Sequence, residues 1–348
     1  MSGFTPRLAA EYVLPLNWAT TRDSAELTDY LSTLQRWLDV TVVDGSPSEV
    51  FAHHAQLWAP LHVRHLRPQP WPGRNGKVAG VVTGVFLARW EHVVIADDDV
   101  RWERDGLRLV LDRLADCDLA RPQNVFVPRP WHARWDTSRS LLNRALGADY
   151  PGTYALRRST FVRAGGYDGD VLFENLELSR TIRAVGGREE PMPSLFVARR
   201  PPSVRHFASQ RVRQAYDDFA QPARLVLEAA VLPTTIVLLR RLLGHSAAAR
   251  QNAWVRPVLA GFALPTLLAE IGRRRHDGRS IYPPTAALWA PLWVAERAVC
   301  VWIAIGRRLT GGTPYAGTKI VRAASSLRYL RRMHGVVTTD AVGSVIAR

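Results

Sequence analysis

The chain has 348 residues, of which 47% are apolar, and it carries 46 basic against 31 acidic side chains, a formal net charge of +15. This length is enough for one large α/β domain or for two domains, and it excludes disorder as a description of the whole. The two cysteines, Cys117 and Cys300, are too few for a disulfide framework or a four-ligand zinc site. They fit a reducing cytosol.

The positive charge is concentrated near the carboxyl terminus. Residues 1–220 hold 28 basic and 26 acidic side chains, whereas residues 221–348 hold 18 and 5. A near-neutral first part followed by a basic, tryptophan-containing second part favours an anionic membrane surface as partner. Nucleic acid is the alternative partner of the basic part. We expect no nucleic acid, because the charge lies beside apolar stretches and no recognition motif accompanies it.

Three apolar stretches lie in the basic part, at residues 225–239, 257–269 and 286–306. Each is shorter than the roughly 20 uninterrupted apolar residues of a spanning helix, or contains charges such as Glu228, Glu296 and Arg297. Arginines flank all three stretches. The apolar stretches and their flanking arginines therefore predict helices that lie in the membrane interface. Buried helices of a C-terminal subdomain are the alternative. The first 15 residues contain no secretory signal, so we expect a protein on the cytoplasmic side of the cell membrane, peripheral or shallowly integral.

The first 120 residues alternate β-branched runs with amphipathic helical patterns, which is typical of a parallel sheet with crossover helices. Strands are predicted at residues 12–16, 40–43, 61–65 and 92–96. Helices are predicted from about residue 23, with four leucines between residues 27 and 38 on one face, at residues 77–87, and from about residue 173 to residue 185. Between the last strand and the last helix, residues 121–150 are rich in proline and aromatic residues and then become polar. We expect this segment to be a long excursion that covers the sheet edge.

Acidic residues follow two of the predicted strands. Asp97, Asp98 and Asp99 come directly after one strand, and Asp44 ends another. Ligands of open α/β sheets bind beyond the carboxyl ends of the strands. Three consecutive carboxylates repel one another, and a divalent cation such as Mg²⁺ or Mn²⁺ relieves this, with Asp97 and Asp99 on one side of the chain. An acidic turn that caps the next helix is the alternative, and Asp44-Gly45 is also a common turn sequence.

Two helix starts carry candidate functional groups. Lys77, one of only two lysines, opens a helix whose amino-terminal amides favour anions, so it could hold a diphosphate or simply face solvent. Glu174 and Glu177 share one face of a helix, and Glu174 lies in its first turn, where the helix dipole keeps a carboxylate ionised. Such a carboxylate suits a general base. Acidic residues that only complement the helix start are the alternative.

Further candidates lie outside the predicted sheet. His206 could be a third metal ligand or a buried structural histidine, and Arg211 and Arg213 could bind phosphate or face solvent. Trp131, His132 and Trp135 are candidates for the wall of an acceptor site, because aromatic faces stack on sugars and lipids.

Taken in order, several motifs resemble those of the family 2 glycosyltransferases, which are inverting enzymes with a GT-A fold. The resemblance covers roughly residues 10–215. The motifs are VVDGS at 42–46, NGK at 75–77, ADDD at 96–99, GGYD at 165–168, FENLEL at 173–178 and QRVRQ at 210–214. The last two resemble signatures of the branch that includes ceramide glucosyltransferases and polysaccharide synthases.

The resemblance implies an α/β, Rossmann-like GT-A domain over residues 1–208, with a mostly parallel sheet and flanking helices. A helical, basic, membrane-associating region would follow over residues 209–348. Mn²⁺ or Mg²⁺ would be the cofactor. By this resemblance, Asp44 would hold the nucleoside and Lys77 the diphosphate. Asp97 and Asp99 would hold the nucleotide and the metal. Gln210 and Arg213 would hold the donor diphosphate or the acceptor. We also assign Asp98 and Arg211 to the donor site and His206 to the metal.

Two positions depart from the family pattern. The family's base is usually the aspartate of a Glu-Asp pair, and here that position is Asn175, which cannot accept a proton. Either Glu174 or Glu177 serves as the base, or activity is lost. The tryptophan that usually follows the arginine of the last motif is Gln214, which favours a single transfer over polymer synthesis.

The sequence therefore predicts metal-dependent, inverting transfer of one sugar from a nucleotide-sugar to a hydroxyl of a lipid or glycan at the membrane surface. A catalytically inactive nucleotide-sugar-binding membrane protein is the first alternative, with Asn175 as its best argument. A nucleotidyltransferase is the second. It is disfavoured because the first predicted strand is followed by Asn17-Trp18 and not by a glycine-rich loop.

Overall fold

The computed structural model describes residues 6–21, 24–243 and 255–335. The chain forms two compact units. The first comprises Met1–Asn124, Tyr150–Arg199 and Ala324–Arg348, and the second comprises Val125–Asp149 and Arg200–Ala323. The boundary predicted between residues 208 and 209 stays a prediction.

The first unit is built on an eight-stranded sheet. Its strands are β1 (Ala10–Leu16), β2 (Asp39–Asp44), β3 (Val63–Leu66), β4 (His92–Ala96), β5 (Val100–Arg101), β6 (Leu119–Phe126), β7 (Thr153–Arg157) and β8 (Glu189–Arg199). Their order across the sheet is β3-β2-β1-β4-β7-β6-β8-β5. The first four strands of that order run parallel, and β7 pairs antiparallel with both β4 and β6. The chain order reverses between β1 and β4, the position where open α/β sheets bind ligands.

The helices alternate with these strands and then dominate the rest of the chain. They are α1 (Ser24–Leu34), α2 (Ser48–Trp58), α3 (Gly76–Phe86), α4 (Arg104–Arg113), α5 (Trp131–Leu146), α6 (Arg158–Arg163), α7 (Glu174–Ala184), α8 (Val204–Tyr216), α9 (Pro222–Leu243), α10 (Val255–Arg274), α11 (Gly278–Ile281) and α12 (Ala290–Leu309). A two-stranded hairpin, β9 (Thr313–Tyr315) and β10 (Thr318–Ile320), follows α12.

The sheet separates two apolar cores, because alternate side chains of a strand point to opposite faces. On β1, Leu14 packs with the buried leucines of α1, whereas Val13 packs with the valines of α3. The helix α3 packs closely against β1. A Cβ added at Gly84 would lie 2.2 Å from a methyl group of Val13, so this helix position requires glycine. The short distance fixes α3, and Lys77 at its start, against the centre of the sheet.

In the second unit, α5 packs closely against α10. A Cβ at Gly272 would lie 1.8 Å from the carbonyl oxygen of Leu141, which again requires glycine. The fully buried guanidinium of Arg144 donates to the carbonyl oxygens of Gly272, Arg275 and His276. These carbonyls lie at or just beyond the carboxyl end of α10, where the helix dipole favours a cation.

The predicted α/β fold with a helical C-terminal region is confirmed by these elements. The expected excursion over residues 121–150 is corrected in part, since it begins as strand β6 of the sheet and continues as α5. Sequence patterning did not predict α2. Within the part of the chain that the structure describes, two helices are long and apolar enough to cross a membrane by length and composition alone, Pro222–Arg241 and Pro284–Leu309. They are longer than the interrupted stretches visible in the sequence.

Candidate functional site

The candidate site lies at the carboxyl end of β4. Asp97, Asp98 and Asp99 follow this strand directly, and β1 beside it runs in the same direction. The site residues described next all belong to the first unit. They come from the loop after β4, from the starts of α3 and α7, and from the end of β8.

The three aspartates point to two sides of the chain. Arg199 lies 2.7 Å from Asp99 Oδ2 and 3.6 Å from Asp97 Oδ2, so these two carboxylates share one cation. The carboxylate of Asp98 instead accepts a hydrogen bond from Trp18 Nε1. The alternation that the sequence predicts for an extended chain is present in this loop.

Lys77 joins the aspartates to the acidic helix. Its Nζ lies 2.5 Å from Asp97 Oδ1 and 2.6 Å from Glu174 Oε1. Burial disfavours the charged ammonium, but the two carboxylates outweigh this effect and raise the pKa of Lys77 above its ordinary value. Lys77 is therefore a permanent cation between the proposed donor-binding aspartate and the proposed base.

Asp99 is the member of the cluster that best fits a metal ligand. Among the described residues, its Oδ1 atom is buried and has no hydrogen-bond partner. Burial raises the pKa of Asp99 to about 6, with Arg199 opposing the rise and Asp97 and Asp98 adding to it. Three carboxylates, those of Asp97, Asp99 and Glu174, face two cations, Lys77 and Arg199. A divalent cation at Asp99 would balance this excess negative charge and satisfy the orphaned oxygen.

Gly152 packs directly against Asp97. Its carbonyl oxygen accepts from the Asp97 backbone N–H at 2.8 Å, and its own N–H donates to Asn124 Oδ1 at 2.7 Å. A Cβ at this position would lie 2.4 Å from Asp97 Oδ2. Any larger residue would therefore displace the Asp97 carboxylate.

The two glutamates of α7 have different surroundings. Glu174 pairs with Lys77, whereas Glu177 is fully buried and accepts a hydrogen bond from the backbone N–H of Ser325 at 2.5 Å. Arg180, one turn further along α7, donates to the Ser325 carbonyl oxygen. Glu177 thus anchors the C-terminal segment on α7. Asn175, at the position where the sequence resemblance would place a base, donates its side-chain amide to the Pro151 carbonyl oxygen at 3.1 Å.

Asp44, the predicted nucleoside ligand, is fully buried and strongly hydrogen-bonded. Its Oδ1 accepts from the Ser46 N–H, and its Oδ2 lies 2.8 Å from His54 Nδ1 and 3.1 Å from His65 Nε2. Burial alone would raise the pKa of Asp44, but hydrogen bonds from His65, Ser46 and His54 outweigh it and hold the pKa below its ordinary value. Its nucleoside role stays a prediction.

The predicted acceptor wall lies in the second unit and is a real aromatic cluster. The rings of Trp131, His132 and Trp135 all pack on Phe207, with centroids 5.6 to 6.2 Å from it. His132 is buried and lies 2.8 Å from the Pro202 carbonyl oxygen, and Trp135 donates to Glu296. Trp131 is 48% exposed and is the ring of this cluster most open to a ligand.

The remaining predicted residues lie on α8 of the second unit. Arg211 is buried and ion-paired with Asp136 at 3.0 Å and Glu296 at 3.6 Å, so its guanidinium has structural partners. Arg213 donates to Gln210 Oε1 and lies over the ring of Tyr315. His206 is exposed. Their roles in donor or metal binding stay predictions.

Comparison with known proteins gives structural likenesses but no matching family. No known family model and no curated protein matches the chain. A solved structure, the mannosyltransferase PcManGT from Pyrobaculum calidifontis in complex with GDP-Man and Mn²⁺, is similar over 86% of this chain and 88% of that chain, with 18% identity and a TM-score of 0.45. The functional proposal for this chain therefore rests on its own residues.

Sequence reasoning missed three contributors to the first unit's polar sites. Arg199 contacts aspartates 100 residues earlier, and Gly152 contacts Asp97 from 55 residues away, so only the strand order brings them together. His54 sits on the unpredicted α2. For the cluster around Asp44, the one signal available in the sequence was that Asp44 ends a predicted strand.

Proposed function

We propose that this protein is a metal-dependent, inverting glycosyltransferase that moves one sugar from a nucleotide-sugar to a hydroxyl of a lipid or glycan acceptor. The observation that carries the proposal is the arrangement of Lys77 between Asp97 and Glu174, with Asp99 beside them. It offers cations for a diphosphate, carboxylates for a metal and a buried carboxylate for a base. These are the groups that glycosyl transfer from a nucleotide requires.

Asp99, with Asp97 beside it, would hold Mn²⁺ or Mg²⁺. When bound, the metal would neutralise charge on the leaving diphosphate. Lys77 and Arg199 supply further positive charge from fixed positions, because both are already held by carboxylates of the cluster. Such preorganised charge stabilises a developing anion without reorientation during the reaction.

Glu174 would take the proton of the acceptor hydroxyl. It is the better of the two glutamates for this role, because Glu177 is committed to the backbone of Ser325. An ion pair with Lys77 at 2.6 Å holds the Glu174 carboxylate in a fixed position, and a general base must be positioned within reach of the proton that it takes. Attack from the face opposite the diphosphate would invert the anomeric carbon.

We also propose that the transfer takes place at an anionic membrane surface, and the exposed side of α12 supports this. Glu296 and Arg297, the charges that interrupt this apolar helix in the sequence, turn inward. Glu296 contacts Arg211, and Arg297 contacts Asp218 and Glu228. The outer stripe is apolar and comprises Leu292, Ala295, Val299, Trp302, Ile303 and Gly306. A helix with charges inside and apolar side chains outside suits lipid better than water.

The helix α9 supports the same reading. The side chains of residues 233–241 are all exposed, and Ile236, Val237, Leu238 and Leu239 are among them. Exposed arginines end both helices, Arg240 and Arg241 on α9 and Arg308 on α12. They would contact the phosphates of anionic lipids on the cytoplasmic face. Arg273, by contrast, is buried against Glu270 and would not.

The proposal is tested by incubating the full chain with a panel of UDP-, GDP- and TDP-sugars, with and without Mn²⁺, in the presence of lipid vesicles. We expect one nucleotide series to raise the melting temperature and to release its diphosphate only with the metal. A nucleotide that binds without any sugar release would favour the inactive binding protein, for which Asn175 is the specific observation. Pyrophosphate release from a nucleoside triphosphate and a sugar phosphate would favour a nucleotidyltransferase.

A further inference from the structure

A second polar cluster lies in the first unit, away from the loop after β4. It comprises Asp44 at the end of β2, His54 on α2 and His65 on β3. Each of the three offers one ligand atom, and these atoms lie within 4.8 Å of one another. Asp44 and His54 are fully buried, and the His65 side chain is 9% exposed. Two imidazoles and a carboxylate thus converge at one protected point.

The three side chains are held in place before any ligand arrives. The ring of His54 stacks on Trp58 with centroids 4.6 Å apart, and the ring of His65 stacks on Phe51 at 4.2 Å. The second oxygen of Asp44 accepts from the Ser46 N–H at 2.9 Å. Fixed side chains reduce the entropy lost on binding, which is a property of built metal sites.

The donor set and its spacing suit a transition-metal cation. Two imidazole nitrogens and one carboxylate oxygen form a common protein ligand set for Zn²⁺. Ligands about 2.0–2.2 Å from zinc in a tetrahedron lie roughly 3.3 Å apart. Asp44 Oδ2 is already 2.8 Å from His54 Nδ1 and 3.1 Å from His65 Nε2, so these two separations are close to that value, and all three ligand atoms lie within 4.8 Å of one another.

A partner for the second ring nitrogen of His54 is also present. Ser24 Oγ lies 3.3 Å from His54 Nε2. When Nδ1 binds a metal, the ring proton resides on Nε2, and a hydrogen bond from that nitrogen orients the ring. The ion would replace the hydrogen bonds that now join the two histidines to Asp44.

We propose that Asp44, His54 and His65 bind one Zn²⁺-class divalent cation at a site separate from the metal proposed at Asp99. Each neutral histidine would lose the proton on its ligating nitrogen to solvent and gain one on its other nitrogen, so the ring stays neutral. Three protein ligands leave one coordination position for water. The site commits the Asp44 carboxylate to a cation instead of a nucleoside, and it does not depend on glycosyl transfer.

The test measures zinc on the full chain after removal of metals with a chelator and titration with Zn²⁺. The variant Asp99→Asn disables the other proposed metal site, and His53→Gln is the matched control, because His53 is the exposed neighbour of His54 on the same helix. We expect one tightly held equivalent of Zn²⁺ in Asp99→Asn, and the same equivalent, beside any ion held at Asp99, in the wild type and in His53→Gln. In His54→Gln and His65→Gln the affinity should fall at least about 100-fold.

Two results would overturn the site. One is that the wild type retains no zinc above background, which would leave the cluster as a hydrogen-bonded triad. The other is equal zinc affinity in His54→Gln, His65→Gln and His53→Gln. If both cluster variants fail to fold, Co²⁺ is titrated into Asp99→Asn instead. A saturable, four-coordinate visible spectrum that Zn²⁺ displaces supports the proposal, and the absence of any such spectrum contradicts it.

Discussion

The two units of the chain place their charges in opposite ways. In the first, apolar side chains fill both faces of the sheet, and the charged cluster of Lys77, Asp97 and Asp99 lies at the strand ends, partly open to solvent. In the second, the ion pairs of Arg211 and Arg297 are buried, and the outer face of α12 is apolar. The first arrangement suits chemistry on a polar substrate, and the second suits contact with lipid.

The strongest way to break this comparison is to remove the metal ligand. Asp99→Asn keeps the shape of the side chain but takes away the charge and the orphaned oxygen's affinity for a cation. We expect the rate of metal-dependent diphosphate release to fall about 10³-fold, since metal stabilisation of a leaving group is worth several kcal/mol. The melting temperature should change little. A fully active Asp99→Asn enzyme would remove the basis of the proposed mechanism.

The buried ion network of the second unit can be tested in the same way. Arg297 is 1% exposed and lies 3.3 Å from Asp218 and 3.9 Å from Glu228. Arg297→Met leaves these carboxylates with less compensation, and we expect a loss of about 3 kcal/mol in the free energy of unfolding. Denaturant unfolding measures it, with the exposed Arg308→Met as control. Equal free energies of unfolding in the two variants would show that the ion pairs of Arg297 do not stabilise the second unit.

A paired substitution on α7 separates chemistry from anchoring. Glu174→Gln should lower kcat about 10²-fold or more, because a general base typically contributes at least that factor. Glu177→Gln should instead lower the free energy of unfolding by about 1–2 kcal/mol, because it weakens the bond to Ser325, with kcat nearly unchanged. Steady-state kinetics measures the effect on kcat, and thermal melts measure the effect on stability. The reverse pattern would exchange the roles of the two glutamates.

The smallest effect is expected at the outer face of α12. Trp302 and Ile303 are 44% and 46% exposed. Replacing both with serine removes apolar surface, and at about 0.8 kcal/mol for each buried CH₂ group even partial insertion predicts at least a tenfold loss of affinity for vesicles. Sedimentation with anionic and neutral vesicles measures this. Unchanged binding to both would place the lipid contact elsewhere.

Much of the first unit could be predicted from the sequence, since its signals are local. The leucines of α1 share one face at helical spacing, and the strand at residues 92–96 is found as β4. By contrast, β6 contains Arg121 and Pro122, which weaken a strand pattern, and it is held by β7. Tertiary pairing decided that element, and no local pattern could have indicated it.

The same distinction applies to the candidate site. Asp97, Asp99, Lys77 and Glu174 were visible because each follows a strand or opens a helix, and the structure brings them together. Arg199 carries no such signal, since its partners lie 100 residues away. In the sequence, Glu228 and Arg297 are charges that interrupt two apolar stretches. In the structure, α9 packs on α12 and the two charges contact each other.

The most direct test of the central claim is diphosphate release by the full chain on vesicles, measured against Mn²⁺ concentration for the wild type and Asp99→Asn. The account predicts saturable, metal-dependent release from one series of nucleotide-sugars by the wild type and about 10³-fold less by the variant. Release that is equal in the two proteins, or that proceeds without metal, would contradict it.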